Sequence, residues 1–223
     1  MDDLSSAFLS LGTGLRWLGY GISPIVLVPI FILALPGLTA NFAKQIYRFL
    51  DAVSGWALGV AMGAATIMVV AQLCVVIVRY VFGLAFSWLD ETVIYAFAGM
   101  FLLGAAAALR DDAHVRVDIL RPLFSHRNRA GIELAGFYLF ILPIGLLTLW
   151  AVAPSLARSW ANFEGSRESD GLPLFFLFRT LIPGFAVLLI LQGLSQAIKA
   201  ALVVRGVDTP KSEDQSSTSA GAL

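Results

Sequence analysis

Residues 54–78 read SGWALGVAMGAATIMVVAQLCVVIV, 25 positions without one charged side chain. At 1.5 Å per residue a helix of that length covers about 37 Å, more than the ~30 Å hydrocarbon core of a bilayer. Four more windows of the same kind follow or precede it, over residues 17–43, 92–109, 134–157 and 180–198. Together they take up about half of the 223 residues. These windows explain the whole-chain averages of 58% apolar and 13% charged residues and a mean hydropathy of +0.83. A water-soluble domain carries roughly 25% charged residues, so that class is excluded. Lipid offers no partner to an exposed backbone, and a barrel would show ~10-residue alternating segments. The expected fold is all-α and polytopic: a four-helix transmembrane core plus one additional N-terminal transmembrane helix.

The first window differs from the others. Pro24, Pro29 and Pro36 interrupt it, each removing a backbone donor and favouring a kink. Upstream, Leu4, Phe8, Leu11, Leu15 and Leu18 share one helical face, which suits a short helix lying at the membrane surface. The expected organisation is therefore an N-terminal segment over 1–16, an extra span with a cytoplasmic loop over 17–50, a four-span unit over 51–206, and a disordered cytoplasmic tail over 207–223. The tail is rich in Ser, Thr, Asp and Glu and has almost nothing to bury. The acidic start, Met1-Asp2-Asp3, is unlike the basic opening of a signal peptide.

Lys and Arg set the orientation. Ten fall on one side: Lys44, Arg48, Arg110, Arg116, Arg121, Arg127, Arg129, Lys199, Arg205 and Lys211. Arg16, Arg79, Arg158, Arg167 and Arg179 fall on the other. The richer side is expected to be cytoplasmic, with the C-terminus inside and the N-terminus outside. The net charge of zero gives no reason to expect nucleic acid as a partner.

Polar residues near the spans supply the candidate functional positions. Ser87 is placed to cap the third span, with Asp90 bonding back and Glu91 near the positive end of the helix dipole. Trp88 suits the headgroup level. The stretch Arg110-Asp111-Asp112-Ala113-His114-Val115-Arg116-Val117-Asp118 closes the same span, and its mixed charges suit a loop that docks another protein. A metal at His114 would need ligands held together by supporting contacts, and none is expected. Gly55, Gly59 and Gly63 fall four apart on the second span, a spacing that lets two helices approach closely; Gly104 and Ala108 repeat it on the third. Gln72 and Gln192, the deepest polar side chains, are expected to bond to neighbouring helices.

No Asp, Glu, Lys, Arg or His lies inside any window. Such residues mark ion and proton pathways in transporters. Both histidines, His114 and His126, fall in one loop, so no pair within the membrane can hold a haem. No membrane-embedded histidine activates a serine or Cys74, which removes an intramembrane hydrolase. No cofactor is expected. The chain reads as a non-enzymatic subunit: either a transporter component or, alternatively, the membrane anchor of a respiratory or other enzyme complex.

Several ordered pieces carry a family resemblance. Arg79-Tyr80-Val81-Phe82-Gly83, Trp88-Leu89-x-Glu91, Gly104-Ala105-Ala106 and His114-Val115-Arg116-Val117-Asp118 resemble the small permease subunit, DctQ type, of tripartite ATP-independent periplasmic (TRAP) transporters. Ser159-Trp160-Ala161, Glu164-Gly165-Ser166, Gly171-Leu172-Pro173, Ile182-Pro183 and Leu191-Gln192-Gly193-Leu194 are similar to its mannitol/chloroaromatic-compound branch. The resemblance runs from about residue 51 to 204 and leaves the first 50 residues outside it. It implies a bacterial inner-membrane protein and two protein partners, with membrane lipid around it. One is a large permease subunit that moves substrate with sodium; the other is a periplasmic substrate-binding protein that delivers an organic acid. It further implies that Arg79, Trp88, Glu91, Arg110, His114 and Asp118 are structural or inter-subunit positions, not substrate ligands.

Overall fold

A computed structural model describes residues 26–34, 36–111, 113 and 124–206. All the regular structure among them is helical: α1 (Val28–Ala34), α2 (Pro36–Val81), α3 (Ser87–Arg110), α4 (His126–Gly136), a π-helical turn (Phe137–Ile141), α5 (Leu142–Ala161) and α6 (Phe175–Val204). Four helices are long and apolar enough to cross a membrane: Asn41–Val81, Ser87–Arg110, His126–Ala161 and Phe175–Val204. They coincide with the last four charge-free windows. Of the additional N-terminal span expected over residues 17–43, residues 17–25 and 35 lie outside the described residues, as do the 1–16 segment and the 207–223 tail.

One expected boundary is corrected. Lys44 and Arg48 do not lie in a loop; they lie on α2, which runs unbroken for 46 residues. The reason is amphipathicity. Ala43, Tyr47 and Leu50 are buried along one stripe of this segment while Lys44 and Arg48 lie off it, so the charges mark a helix face and not a chain reversal. At 1.5 Å per residue α2 is about 69 Å long, twice the hydrocarbon thickness.

The last helix organises the rest. α6 packs against α1, α2, α3, α4, the π turn and α5. Most of its buried residues lie in its C-terminal half, where Leu194, Ile198 and Leu202 meet Tyr47, Leu50 and Phe137 in the largest apolar cluster. Two glycines permit the closest approach. A Cβ on Gly145 would sit 2.5 Å from Ile190, and one on Gly193 would sit 2.9 Å from both Phe137 and Ile141. In the α2–α3 contact, Gly99 faces Ala64 and Gly104 faces Ala61. Without a hydrophobic drive between helices in lipid, such close backbone approach supplies the packing.

The π turn sits just before Pro143, which has no N–H to donate. Widening the helix there lets Leu142 N–H reach back to the Phe137 carbonyl. The turn also presents Tyr138, whose hydroxyl donates to the Val26 carbonyl at 2.6 Å and ties the segment preceding α1 to the bundle.

Candidate functional site

The polar side chains gather at the two ends of the bundle. At one end the loop from Asn162 to Leu174 folds over the start of α3. Glu91, in the second turn, accepts the Leu172 N–H at 2.7 Å and the Ser166 hydroxyl. Ser87 N–H donates to Asp170 Oδ2 at 2.9 Å. Within the loop, Ser166 N–H bonds the Leu172 carbonyl and Glu168 N–H bonds Ser166 Oγ, both at 3.0 Å. The latch needs a glycine at 171, where an added Cβ would fall 2.2 Å from Ser166 Oγ and 2.9 Å from Glu91 Oε1. Arg79 and Asp90 pair at 2.8 Å, Arg179 and Glu164 at 3.2 Å, and Trp160 Nε1 donates to Thr180 at 3.0 Å. The Trp88 ring is exposed beside Phe86.

This arrangement corrects the expected capping box. Phe86, in extended conformation, occupies the cap position without a side-chain bond, and Ser87 is the first helical residue. Asp90 turns to Arg79 instead of bonding back. Acceptors for the helix start come from a loop some 80 residues later, where Asp170 takes the Ser87 N–H. The hydrogen bonds from Ser87, its N–H first, hold the Asp170 carboxyl below its ordinary range.

At the opposite end a second node joins α2, α3 and α6. Asp51 Oδ2 pairs with Lys199 Nζ at 2.6 Å. Asp51 Oδ1 accepts from Ser195 Oγ at 2.6 Å and from Gln192 Nε2 at 3.2 Å. The Ser54 hydroxyl donates to Gln192 Oε1. Ser54, Gln192 and Ser195 are buried, and every polar atom of the Asp51 carboxylate has a partner, as burial requires. From α3, Arg110 forks onto Asp111 at 2.8 and 3.1 Å and reaches the Asp51 carbonyl at 3.3 Å. Gln196 Nε2 donates to the carbonyls of Leu109 and Arg110 at 3.1 and 3.3 Å, satisfying a helix end that has no partner of its own.

Of the residues singled out from sequence, Gln192 bonds a neighbouring helix, whereas Gln72 is exposed on α2. The glycine triplet divides. Gly55 lies beneath Arg110, its notional Cβ 3.0 Å from Nη1, while Gly59 and Gly63 have nothing within 4 Å. Thus the three do not form one contact within this chain; the close small-residue contact is between Gly99, Gly104 and the alanines of α2. Arg79, Trp88 and Glu91 share one end, and Arg110 and Gln192 the other. His114 and Asp118 lie outside the described residues. Among the described residues, no three His, Cys, Asp or Glu side chains gather to hold a metal ion.

Asp51, Ser54, Ser195, Gln196 and Lys199 were missed. Their signal is readable: polar residues at 192, 195, 196 and 199 fall on one face of an otherwise apolar helix, and only a polar counterpart makes that face tolerable in a membrane protein.

Comparison with known proteins agrees with this architecture. The sequence profile of "Tripartite ATP-independent periplasmic transporters, DctQ component" matches residues 66–202, more than half of the chain. The C4-dicarboxylate TRAP transporter small permease protein DctQ of Vibrio cholerae is 29% identical over 170 residues, covering 66% of this chain and 71% of that protein. No solved structure matches.

Proposed function

From the premise that the chain belongs to the DctQ component family of TRAP transporters, we propose that this small permease subunit is the fixed scaffold of a sodium-coupled importer of an organic acid. A large permease subunit carries the substrate and ions, and a periplasmic protein delivers the substrate. The family is not enzymatic, and the protein is a multi-pass membrane protein. The Lys and Arg distribution supports a cytoplasmic C-terminus and, with it, a periplasmic Glu91 latch. The pieces around Ser159, Gly171 and Gln192 support the mannitol/chloroaromatic-compound branch.

One observation carries the scaffold reading: the charged groups bordering the spans are engaged with one another. Arg79 holds Asp90, Arg179 holds Glu164, Lys199 holds Asp51 and Arg110 holds Asp111. The spans between them contain no ionisable group other than tyrosine and Cys74 in the windows defined above. Ion coupling needs a carboxylate or a set of oxygen ligands at mid-depth, and the carboxylates of Asp51, Asp90, Glu91, Glu164 and Asp170 are bound near the helix ends by groups of this same chain.

The test is reconstitution. Vesicles holding the large subunit together with this chain, given the binding protein and a sodium gradient, are expected to accumulate organic acid, and vesicles holding this chain alone are expected to accumulate none. Uptake by this chain alone overturns the scaffold role. Uptake with equal rate by the large subunit alone overturns the need for it.

A further inference from the structure

The last hairpin is built in two parts that meet at a pair of prolines. Every buried residue of α6 lies beyond Pro183, and Ser159 alone is buried between residues 155 and 182. Pro154 stands inside α5 and Pro183 inside α6. Each lacks the N–H that would hold the carbonyl four residues earlier, of Trp150 and of Arg179. Gly184 follows Pro183 with nothing within 4 Å of its notional Cβ. The two helices run antiparallel, with Gly145 against Ile190 and Trp160 bonded to Thr180. The prolines therefore stand within about one helical turn of the same level. Proline is the usual cause of a bend in a helix, and here both arms of the hairpin carry one at one height.

Beyond the prolines, residues 155–182 are bonded to one another. Arg179 pairs with Glu164 and reaches the Ser155 carbonyl at 3.5 Å. Phe176 N–H donates to the Glu164 carbonyl at 3.0 Å, and the rings of Trp160 and Phe163 pack edge-on against Phe176. Ties to α3 are few. Among the described residues, the polar ones are Glu91, with the Leu172 N–H and the Ser166 hydroxyl, and Asp170, with the Ser87 N–H. One ring contact is added, Tyr95 stacked on Phe178 at 4.7 Å. The Tyr95 hydroxyl is buried there without a partner, which costs the latched position free energy that water restores once the ring is uncovered.

We propose that residues 155–182 form a rigid tip hinged at Pro154 and Pro183, held against α3 by Glu91 and Asp170, and that the tip swings as one body when those two carboxylates let go. Few buried groups and a handful of exposed hydrogen bonds are what an opening of low free energy requires. The tip is thus the moving part of a chain whose remaining helices are fixed by buried contacts. Hinge and scaffold role are read separately: uptake by the reconstituted transporter reads the one, and distances within this chain read the other.

Spin-label distances in the full chain, with Cys74 replaced by Ser, test the hinge. One label sits at Val69 on α2. The second sits at Arg167 or Ser169 in the tip or, as a control, at Leu147 on α5 before the hinge; all these positions are exposed. Breaking the latch with Glu91→Ala and Asp170→Ala is expected to add to both tip distances a second component displaced by about 4 Å. That is the travel of a ~12 Å arm, Phe175 to Pro183, turning through ~20°. The control distance should stay as it was. Adding Pro154→Ala and Pro183→Ala, which restores the missing N–H groups, is expected to remove the second component. Tip distances unchanged by the broken latch, a control that shifts as far as the tip, or a second component that survives the proline replacements each overturns the proposal. Should the latch variant not accumulate, the proline replacements are read in the unmodified latch: narrower tip distances support the hinge, and equal widths overturn it.

Discussion

The two ends of the bundle are closed by opposite means. At the Asp51 end, side chains of two helices bond one another: a carboxylate, an amide, two hydroxyls and an ammonium drawn from residues 51–54 and 192–199. At the Glu91 end, a carboxylate holds backbone and hydroxyl groups of a loop, and the helices themselves are joined more loosely by half-exposed ion pairs. The difference concerns what each carboxylate holds. Asp51 fixes the register of helices; Glu91 fixes the shape of a loop. Loss of Asp51 should therefore unsettle the whole bundle, and loss of Glu91 should free one segment.

The largest expected effect tests the first half of that statement. Asp51→Leu strands Lys199, Gln192 and Ser195, and is expected to cost about 2 kcal/mol, below the range for a fully buried pair because both charged side chains keep about a quarter of their surface exposed. Thermal unfolding of the purified chain in detergent measures it, and Asp51→Leu combined with Lys199→Met should recover part of the loss. No recovery would mean that the pair is not the source of the effect. At the other end Gly171→Ala forces Ser166 and Glu91 apart and is expected to cost about 2 kcal/mol. It should appear as faster proteolysis between residues 162 and 174 with little change in the melting of the helices. A collapse of global stability would erase the distinction between the ends. Glu91→Gln keeps an acceptor for Leu172 N–H but loses its charge, and is expected to cost about 1 kcal/mol with the same local signature.

Acid supplies a gentler probe. Because the Asp170 carboxyl is held below its ordinary range in the folded chain, the unfolded chain takes up that proton first as pH falls. The contribution of Asp170 is therefore complete above the ordinary carboxylate range and disappears as pH drops through the lowered folded value. Loop proteolysis by an acid-active protease should quicken there, and Asp170→Asn should remove that step. The smallest effect is expected from Gly59→Leu, which meets nothing within 4 Å. The isolated chain should melt unchanged, and Gly55→Leu, pressed against Arg110, should not. Weaker recovery of the large subunit with Gly59→Leu would place that glycine at a contact between the two subunits.

The four spans were legible because a run of uncharged residues long enough for a bilayer admits one solution. Their ends were not. Charge at Lys44 and Arg48 suggests a loop, yet the same residues with Ala43, Tyr47 and Leu50 spell an amphipathic helix, and that pattern prevails once α6 is there to cover the apolar side. The polar stripe on α6 was readable from its spacing, but its counterpart at Asp51 required knowing that the helix continued. Ser87 misled for a different reason. A local capping signal was outcompeted by Asp170, and no rule of near-neighbour spacing anticipates a partner 83 residues away.

The position of α6 also bears on how the chain is made. It contacts every other helix and is the last of them to be synthesised. Until it leaves the translocon, the earlier spans wait in lipid as separate hairpins, and Asp51 waits 148 residues for Lys199. Assembly is thereby postponed until α6 emerges, when a single arriving segment neutralises the carboxylate and draws the halves together.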